Sequence, residues 1–414
     1  MSEHNEQARA VAVRAMTAVT EESVTLGDVL PRLTKALSPS EAARAGRLAT
    51  EALRWANRSD RILGPHIRMK PEDPVMHALR VAVYELFVEG AAPHGVVNAA
   101  VSLVTRSKAG LVNGVLRNVL RREVDWEALP LPQTPKWLRK RLIAAWGKAA
   151  VEAMERVHAE RPPIDITCRD DAVKWAERLE ASVCPGGSVR LSVGAQVSAL
   201  DGYADGAWWV QDAGAAVAAR VLDVQRGDRV LDLCAAPGGK TMQLAAAGAA
   251  VTALDVSKPR MARVAENLAR TGLNAEVVVA NALEWTPDKE FDAVLLDAPC
   301  SATGTLRRHP DLGYARDGSG IDDLIDLQAR LLDRAATFLP PGGRMVYCTC
   351  SLLPEEGEEQ IDAFLTRNPD FDVIRAPADD PKWSVPQGLR LRPDHWAEIG
   401  GIDGFFIGCL EKRS

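Results

Sequence analysis

The stretch RVLDLCAAPGGKT, residues 229–241, decides the fold of the second half of this chain. Its first five residues form an apolar run typical of a buried strand, and the small residues that follow form a tight turn into a helix. Comparable apolar runs, separated by helical stretches, recur at 251–255, 276–280, 293–297, 344–348 and 405–410. Buried strands that alternate with helices indicate a parallel sheet covered on both faces. The chain from about Gly206 therefore predicts a Rossmann-like, doubly wound, mostly parallel α/β domain.

The first 122 residues predict a different, all-α domain, because their apolar residues recur at helical spacing. Ser38 and Glu41 form a capping-box pattern around Pro39, so a helix is expected from there to about Trp55. Three further helices are expected near 76–88, 94–107 and 109–122. The prolines of the segment 123–135 predict a linker. We thus expect a helical domain at 1–125, a small mixed α/β connecting domain at 136–205 and the α/β domain at 206–414.

Length and composition favour a folded, intracellular protein. The 414 residues suffice for two or three domains, and 47% are apolar while 26% are charged. The sequence contains no apolar run of membrane-spanning length and does not begin like a secretory signal, so a cytoplasmic location without a membrane partner is expected. Seven scattered cysteines without a C-x-x-C pair predict free thiols and no metal site.

Charge is unevenly placed along the chain. The net charge is -6, yet residues 101–150 hold ten Lys and Arg against three Asp and Glu. These cations either solvate helix surfaces or bind the phosphates of a nucleic acid, and charge alone leaves both readings open. The cations concerned include Arg121, Arg122, Lys136, Arg139, Lys140 and Arg141.

The turn after the first α/β strand fits neither common phosphate-binding motif. A P-loop would need glycine where Cys234 stands, and G-x-G-x-x-G is absent. The turn can still bring a ligand close to the backbone and present helical N–H groups to a carboxylate. Asp255 ends the second strand, where a carboxylate can accept both hydroxyls of a ribose. Together these features predict S-adenosylmethionine as the cofactor, whereas an empty turn with an ordinary helix cap is the alternative.

Two cysteines follow strands on the same edge of the predicted sheet. Cys300 lies in the turn 297–304 and Cys350 in the turn 348–351, so the fold can bring the two thiols together. Buried cysteines elsewhere are expected to be inert small apolar residues. That description suffices for Cys168, Cys184, Cys348 and Cys409.

A thiol at this edge suits methylation of a pyrimidine. Carbon C5 of the ring is a poor nucleophile, but attack of a thiolate at C6 makes it an enamine that can take a methyl group. A carboxyl group at Asp297 could hydrogen-bond N3 and the exocyclic amine of cytosine. Loss of the C5 proton and release of the thiol then require a second acid/base group, for which Cys300 is well placed.

With these motifs the chain resembles the Nop2/Sun family of RNA cytosine-5 methyltransferases. The family signatures D-A-P-C and T-C-S stand at 297–300 and 349–351, and the helical half resembles the RNA-binding NusB-like domain. Segments 211–212, 307–311 and 403–406 extend the resemblance over nearly the whole chain, to the bacterial members that methylate 16S ribosomal RNA.

The resemblance implies roles that spacing cannot assign. It makes Cys350 the nucleophile and Cys300 the residue that assists product release. It places Asp255 at the ribose, Asp297 between cofactor and base, and Asn281 at the adenine amine, where the family usually has Asp. The residues implied to wrap the methionine part of the cofactor are Cys234, Ala235, Ala236, Pro237, Gly238, Gly239 and Lys240. The resemblance implies 16S ribosomal RNA of the small-subunit precursor as the partner, and we expect the enzyme to be a monomer.

Other functions stay open at this point. A transfer-RNA cytosine-5 methyltransferase would carry the same active-site motifs. A NusB-like assembly factor with an inactive methyltransferase domain would be expected to lack a thiol or a loop glycine. His309 with its two preceding arginines either contacts RNA phosphates or caps a loop, and Trp208 and Trp209 either stack on a base or pack the domain junction.

Overall fold

The computed structural model describes residues 3–414, with side chains from residue 6 onward. Contacts divide the chain into two compact units. The first, here the helical unit, contains the chain up to Glu160 and the segment Leu306–Gly318. The second contains Arg161–Thr305 and Ser319–Ser414 and is here called the catalytic unit, because the predicted active-site residues lie in it.

Among the described residues, the helical unit contains helices and no strand, which agrees with the all-α prediction for the first 122 residues. Its helices are α1 (Glu3–Glu21), α2 (Leu26–Leu33), α3 (Pro39–Arg54), α4 (Ala56–Leu63), α5 (Asp73–Phe87), α6 (Pro93–Ser102), α7 (Arg106–Leu120), α8 (Lys136–Trp146), α9 (Lys148–Ala159) and α14 (Leu312–Ala315). The expected capping box opens α3, because the backbone N–H of Glu41 donates to Ser38 while the Glu41 carboxylate accepts from the backbone N–H of Ser38. Leu48 and Ala52 of that helix lie in the apolar core.

The segment predicted as a linker lies between α7 and α8. It is non-helical, as its prolines predict. Helices α8 and α9 nevertheless join the helical unit by their contacts, and the units part at Glu160. Boundaries at 125/136 and 205/206 stay a prediction.

The segment Leu306–Gly318 is built into the helical unit although it follows the Cys300 turn in sequence. The carboxylate of Asp311 accepts a 2.8 Å hydrogen bond from the backbone N–H of Leu26 at the start of α2. Arg54 Nη1 donates to the carbonyl of Arg307 at 2.8 Å, and the Tyr314 hydroxyl donates to the carbonyl of Leu53 at 3.1 Å. Asp311 therefore caps the start of α2, whereas the two readings of His309 and its preceding arginines stay predictions.

The catalytic unit begins with a small antiparallel sheet. Its order is β2–β3–β1–β4, formed by β1 (Ile164–Cys168), β2 (Ser182–Val183), β3 (Val189–Leu191) and β4 (Trp208–Val210), with α10 (Ala172–Arg178) packed on it. Trp208 is fully buried in the core of this sheet, and Trp209 is 2% exposed beneath the turn at Ala235 and Ala236. Neither indole face is available to a base, so the packing interpretation of the two tryptophans is correct.

A nine-stranded mixed sheet forms the centre of the catalytic unit. Its elements in chain order are α11 (Ala213–Val221), β5 (Arg229–Leu233), α12 (Gly239–Ala246), β6 (Ala250–Asp255), α13 (Lys258–Thr271), β7 (Glu276–Val279), β8 (Ala293–Asp297), α15 (Ile321–Ala336), β9 (Arg344–Thr349), α16 (Glu358–Arg367), β10 (Phe371–Val373), β11 (Ser384–Val385), β12 (Gly388–Leu391) and β13 (Phe405–Lys412). The strand order is β11–β12–β13–β9–β8–β5–β6–β7, and β10 pairs with β13.

The order of the strands confirms the Rossmann-like fold and places its ligand edge. Strands β7, β6, β5, β8 and β9 are parallel, and β13 joins β9 in antiparallel orientation. Alternate residues face opposite sides: Val230 packs in one apolar cluster with α11, and Leu231 in another with α15 and α16. Chain connections from β5 lead outward both ways, so the carboxyl ends of β5 and β8 flank a crevice where such sheets bind ligands.

The short antiparallel strands β10, β11 and β12 were not predicted from the sequence. Each has two to four residues and lies in a region rich in proline and charged residues, which hides the period of a strand.

None of the helices within residues 3–414 is long and apolar enough to cross a membrane.

Gly304 lies where the turn after β8 meets the residues just before β13, and there is no room for a side chain at this position. Its backbone N–H donates to the carbonyl of Cys350 at 2.9 Å, and its carbonyl accepts from Gly404 at 2.8 Å. A Cβ atom at Gly304 would stand 1.9 Å from the carbonyl oxygen of Gly404. The glycine therefore lets the turn after β8 pack against the start of β13.

We expect Gly304→Ala to lower the thermal midpoint of the catalytic unit, because relieving this overlap costs about 1–3 kcal/mol or more. Gly114→Ala is the matched control, since its Cβ meets nothing within 4 Å and alanine favours helix α7. Thermal unfolding followed by circular dichroism measures both. Equal midpoints for the two variants would contradict the assigned close approach.

Candidate active site

The turn after β5 and the acid that ends β6 meet at the ligand edge. Oδ2 of Asp255 accepts from the backbone N–H of Ala236 at 3.3 Å, and Oδ1 accepts from Ser257 at 2.8 Å. Asp255 is only 3% exposed; Arg260 also lies 3.4 Å from Oδ2, and Oδ1 keeps a further lone pair for a ligand hydroxyl. The structure thus brings together the two features that sequence analysis assigned to one ligand.

The turn itself has an unusual backbone. Cys234 adopts a φ of 60°, Gly238 a φ of 100°, and the Ala236–Pro237 peptide bond is cis. Gly238 is the N-cap residue of α12 and provides no side-chain hydrogen bond. The first backbone N–H groups of that helix therefore face the loop without a side-chain acceptor. Burial, followed by the nearby charge of Asp255, raises the pKa of the Cys234 thiol well above its usual value. Burial therefore favours the neutral thiol at Cys234.

Lys240 links this loop to the reactive end of the sheet. Its Nζ donates to Oδ2 of Asp297 at 2.7 Å, and its side chain is 9% exposed. Burial alone would lower the pKa of Lys240, but the negative charge of Asp297 outweighs it, and the pKa is raised. The backbone of Lys240 belongs to the predicted cofactor loop, whereas its ammonium group serves Asp297.

Asp297 is held from a second side by Cys348. The thiol of Cys348 donates to Oδ1 of Asp297 at 3.4 Å, and burial raises the pKa of that thiol well above its usual value. The parallel register of β8 and β9, which sets Asp297 opposite Cys348, creates this contact. Cys348 is thus buried as expected, with an additional hydrogen bond that the sequence did not indicate.

The two cysteines of the predicted reactive end are in contact. Their sulfur atoms lie 3.4 Å apart although 50 positions separate Cys300 and Cys350, and both side chains are partly buried. The hydrogen bond between the thiols, then burial, then the electrostatic influence of Cys350 and of Glu356, raise the pKa of Cys300 well above its usual value. The raised pKa favours the protonated form of Cys300, and either sulfur can be the donor of the hydrogen bond between them.

A buried polar cluster lies behind both cysteines and was missed by sequence analysis. Glu356 is fully buried, and its carboxylate accepts from Ser301 and Ser351, which follow Cys300 and Cys350. Gln328 of α15 donates to the same carboxylate at 3.0 Å. The sequence offered no signal for it, because Pro354-Glu355-Glu356 reads as an exposed acidic turn in which the two acids are equivalent.

Asn281 and Asp232 complete the ligand edge. Asn281 is exposed after β7, where its amide oxygen accepts from the backbone N–H of Leu283 at 3.1 Å and its amide nitrogen donates to Glu284 at 3.0 Å. Asp232 is fully buried in β5; burial, offset in part by a hydrogen bond from Thr241, raises its pKa to about 7. Its Oδ1 has no hydrogen-bond partner among the described residues.

The basic stretch 101–150 divides into paired and exposed cations. Arg139 forms an ion pair with the buried Glu155 at 2.7 Å, which also accepts from the backbone N–H of Thr134. Arg117, Arg121 and Lys140 are exposed. Arg139 therefore stabilises the helical unit, and the exposed cations are the better candidates for a phosphate-binding surface.

Comparison with known proteins matches both halves of the chain. The family described as 16S rRNA methyltransferase RsmB/F matches residues 219–411, and the NusB family matches residues 6–121. Ribosomal RNA small subunit methyltransferase B of Klebsiella pneumoniae is 36% identical to this chain and covers 98% of each protein.

Two solved structures share the fold. The crystal structure of PH0851 covers 100% of both chains with a TM-score of 0.78 at 24% identity. The crystal structure of NSun6 from Pyrococcus horikoshii with SFG covers 69% of this chain and 100% of that chain, with a TM-score of 0.58 at 20% identity. From the full-length relatives and the two family matches, the chain belongs to the RsmB/F family of ribosomal RNA methyltransferases.

Proposed function

We propose that this enzyme transfers a methyl group from S-adenosylmethionine to C5 of a cytosine in 16S ribosomal RNA through a covalent cysteine adduct. The observation that carries the proposal is the contact of Cys300 and Cys350, with sulfur atoms 3.4 Å apart, beside an Asp297 held by Lys240. Two touching thiols and a carboxyl group at the carboxyl ends of adjacent strands match the nucleophile, the acid/base group and the base-binding group that this chemistry requires.

The residues at the ligand edge fit the proposed cofactor. The uncapped start of α12 can receive its carboxylate, and Asp255 its ribose hydroxyls. When bound, the cofactor supplies an electrophilic methyl group on a sulfonium. NSun6, which shares this fold, was solved with SFG, an analogue of S-adenosylmethionine.

In the proposed mechanism Cys350 begins as a thiolate and forms a bond to C6 of the cytosine. Asp297 hydrogen-bonds N3 and the exocyclic amine, and Lys240 holds Asp297 in place. This addition places an electron pair on C5, which then forms a bond to the methyl carbon. In the release step Cys300 gives its proton to the departing sulfur of Cys350 and takes the C5 proton in its place. The electrons of the C5–H bond re-form the C5–C6 double bond, the bond between C6 and sulfur breaks, and both cysteines end as thiols.

The RNA assignment rests on the names of the relatives and on the helical unit. Relatives over the whole chain length are named ribosomal RNA small subunit methyltransferase B, which favours 16S ribosomal RNA over transfer RNA. An assembly factor with an inactive domain is disfavoured, because both thiols and Gly238 and Gly239 are present. We place the enzyme in the cytoplasm as a monomer.

Asp255→Ala is expected to weaken binding of S-adenosylmethionine by about 1.5–3 kcal/mol, because hydrogen bonds to a charged acceptor are lost. Isothermal calorimetry measures the affinity, and Glu290→Ala, an exposed acid before the amino end of β8, is the matched control. Unchanged affinity in a folded Asp255→Ala protein would remove the ribose contact.

Replacing the exposed Arg117 and Arg121 by Gln should weaken binding of a 16S ribosomal RNA transcript and reduce the salt slope of log K by about one per charge removed. Arg226→Gln, an exposed cation at the amino edge of the sheet, is the control. Filter binding at several salt concentrations gives both quantities. If affinity and slope both stayed at the wild-type values, α7 would not belong to the RNA surface.

Cys350→Ala should abolish methylation and any covalent RNA adduct, because no bond to C6 can form. Cys300→Ala should instead accumulate a methylated RNA–protein adduct that survives denaturing electrophoresis, because release stalls. Cys409→Ala, a buried cysteine in β13, is the control and should form no trapped adduct. A trapped adduct with Cys350→Ala and none with Cys300→Ala would reverse the two roles.

A further inference from the structure

Glu356 joins the two cysteine-bearing turns from behind. Its Oε1 accepts from the backbone N–H of Ser301 at 2.8 Å, and its Oε2 accepts from the hydroxyls of Ser301 and Ser351, each at 2.5 Å. Ser301 directly follows Cys300, and Ser351 directly follows Cys350. One carboxylate therefore fixes the chain beside each reactive thiol.

Other hydrogen bonds tie the same turns to Glu356 and to each other. The hydroxyls of Tyr347 and Thr349 both donate to the backbone carbonyl of Glu356 at 2.9 Å, which fixes the turn that carries the carboxylate. The Thr303 hydroxyl lies 3.2 Å from that of Ser351 and accepts from the backbone N–H of Leu352 at 2.9 Å. The carboxylate thus lies at the centre of a connected polar network and cannot shift alone.

Packing alone does not explain the free-energy cost of burying the Glu356 carboxylate. Glu356 is 0% exposed, and the donors to its carboxylate described above, two hydroxyls, a backbone N–H and the Gln328 amide, are all uncharged. Burial of an ionised carboxylate is unfavourable unless hydrogen bonds compensate for it. A space-filling role would be met by an apolar side chain, whereas four convergent donors need an acceptor with several lone pairs.

We propose that Glu356 is a positioning residue whose carboxylate clamps the Cys300 turn to the Cys350 turn and so keeps the two thiols in contact. The inference rests on the proposed roles of these thiols for its catalytic meaning, but the clamp itself concerns only their separation. The charge of Glu356 is also one cause of the raised pKa of Cys300, after the thiol hydrogen bond, burial and the electrostatic influence of Cys350, so it acts on the same pair electrostatically.

The separation of the thiols can be measured without RNA or cofactor. Oxidised glutathione takes two electrons and two protons from the pair: a disulfide bond forms between Cys300 and Cys350, the disulfide bond of glutathione breaks, and two molecules of reduced glutathione result. The equilibrium constant of this exchange gives the effective concentration of one thiol at the other, read by mass spectrometry of the linked peptides.

Glu356→Gln should lower that effective concentration by at least about tenfold, because an amide offers fewer acceptor sites and loses the charge-assisted hydrogen bonds. It should also lower kcat for methylation by at least about tenfold while KM for RNA stays near the wild-type value, since no substrate contact is removed. Glu355→Gln, the neighbouring acid, is the matched control and should leave both quantities unchanged.

The outcomes distinguish a carboxylate that holds the two turns together from a side chain that only fills space. Wild-type values of the thiol exchange in Glu356→Gln would overturn the proposal, whatever happens to methylation. If Glu356→Gln fails to fold, the double variant Ser301→Ala/Ser351→Ala removes the two hydroxyl donors and must show the same loss, or the clamp is rejected. If the wild-type enzyme makes no 5-methylcytosine, the proposed function fails while the thiol exchange still tests the clamp.

Discussion

The parallel pairing of β8 with β9 is the constraint on which the reactive end depends. Its register sets Asp297 opposite Cys348, so the chain leaves both strands at the same edge, and the next residues of each strand enter turns that carry a thiol. Hydrogen bonds from Gly304 to the carbonyl of Cys350, and from Gly404 to Gly304, then lock the turns against each other. A shift of one residue would send the side chains of one strand to the opposite face and separate the pair.

Charge at the ligand edge is arranged around a few buried groups. The ammonium of Lys240 pairs with Asp297, and near them the buried Asp232 has a pKa raised to about 7 by loss of solvation. Perturbed groups of this kind concentrate at functional sites, because chemistry requires protonation states that bulk water would not maintain. Here Cys300, whose pKa is raised beside Cys350, adds a third perturbed group.

The helical unit takes part of its structure from a distant part of the chain. Residues Leu306–Gly318 follow the Cys300 turn, yet Asp311 caps the start of α2 and Tyr314 bonds the end of α3. The carboxylate at a helix start satisfies an N–H group that the helix itself cannot, which makes this capping favourable. The segment is therefore an integral element of the helical unit.

The sequence by itself determined the local structure and the chemical types at the ligand edge. Apolar runs fixed β5, β6, β8, β9 and β13 to within a residue or two, because buried strands have a composition that solvent-exposed segments lack. The capping box fixed the start of α3, and the family signatures singled out Cys300, Cys350 and Asp297. Only the tertiary structure decided what depends on side chains far apart in sequence. It brought the two thiols to 3.4 Å, directed Lys240 to Asp297, paired Arg139 with Glu155 and buried Glu356 rather than Glu355 at the centre of the network. Hydrogen bonds between such distant residues follow from the packing of strands and turns in three dimensions, and no periodicity or local motif along the chain records them.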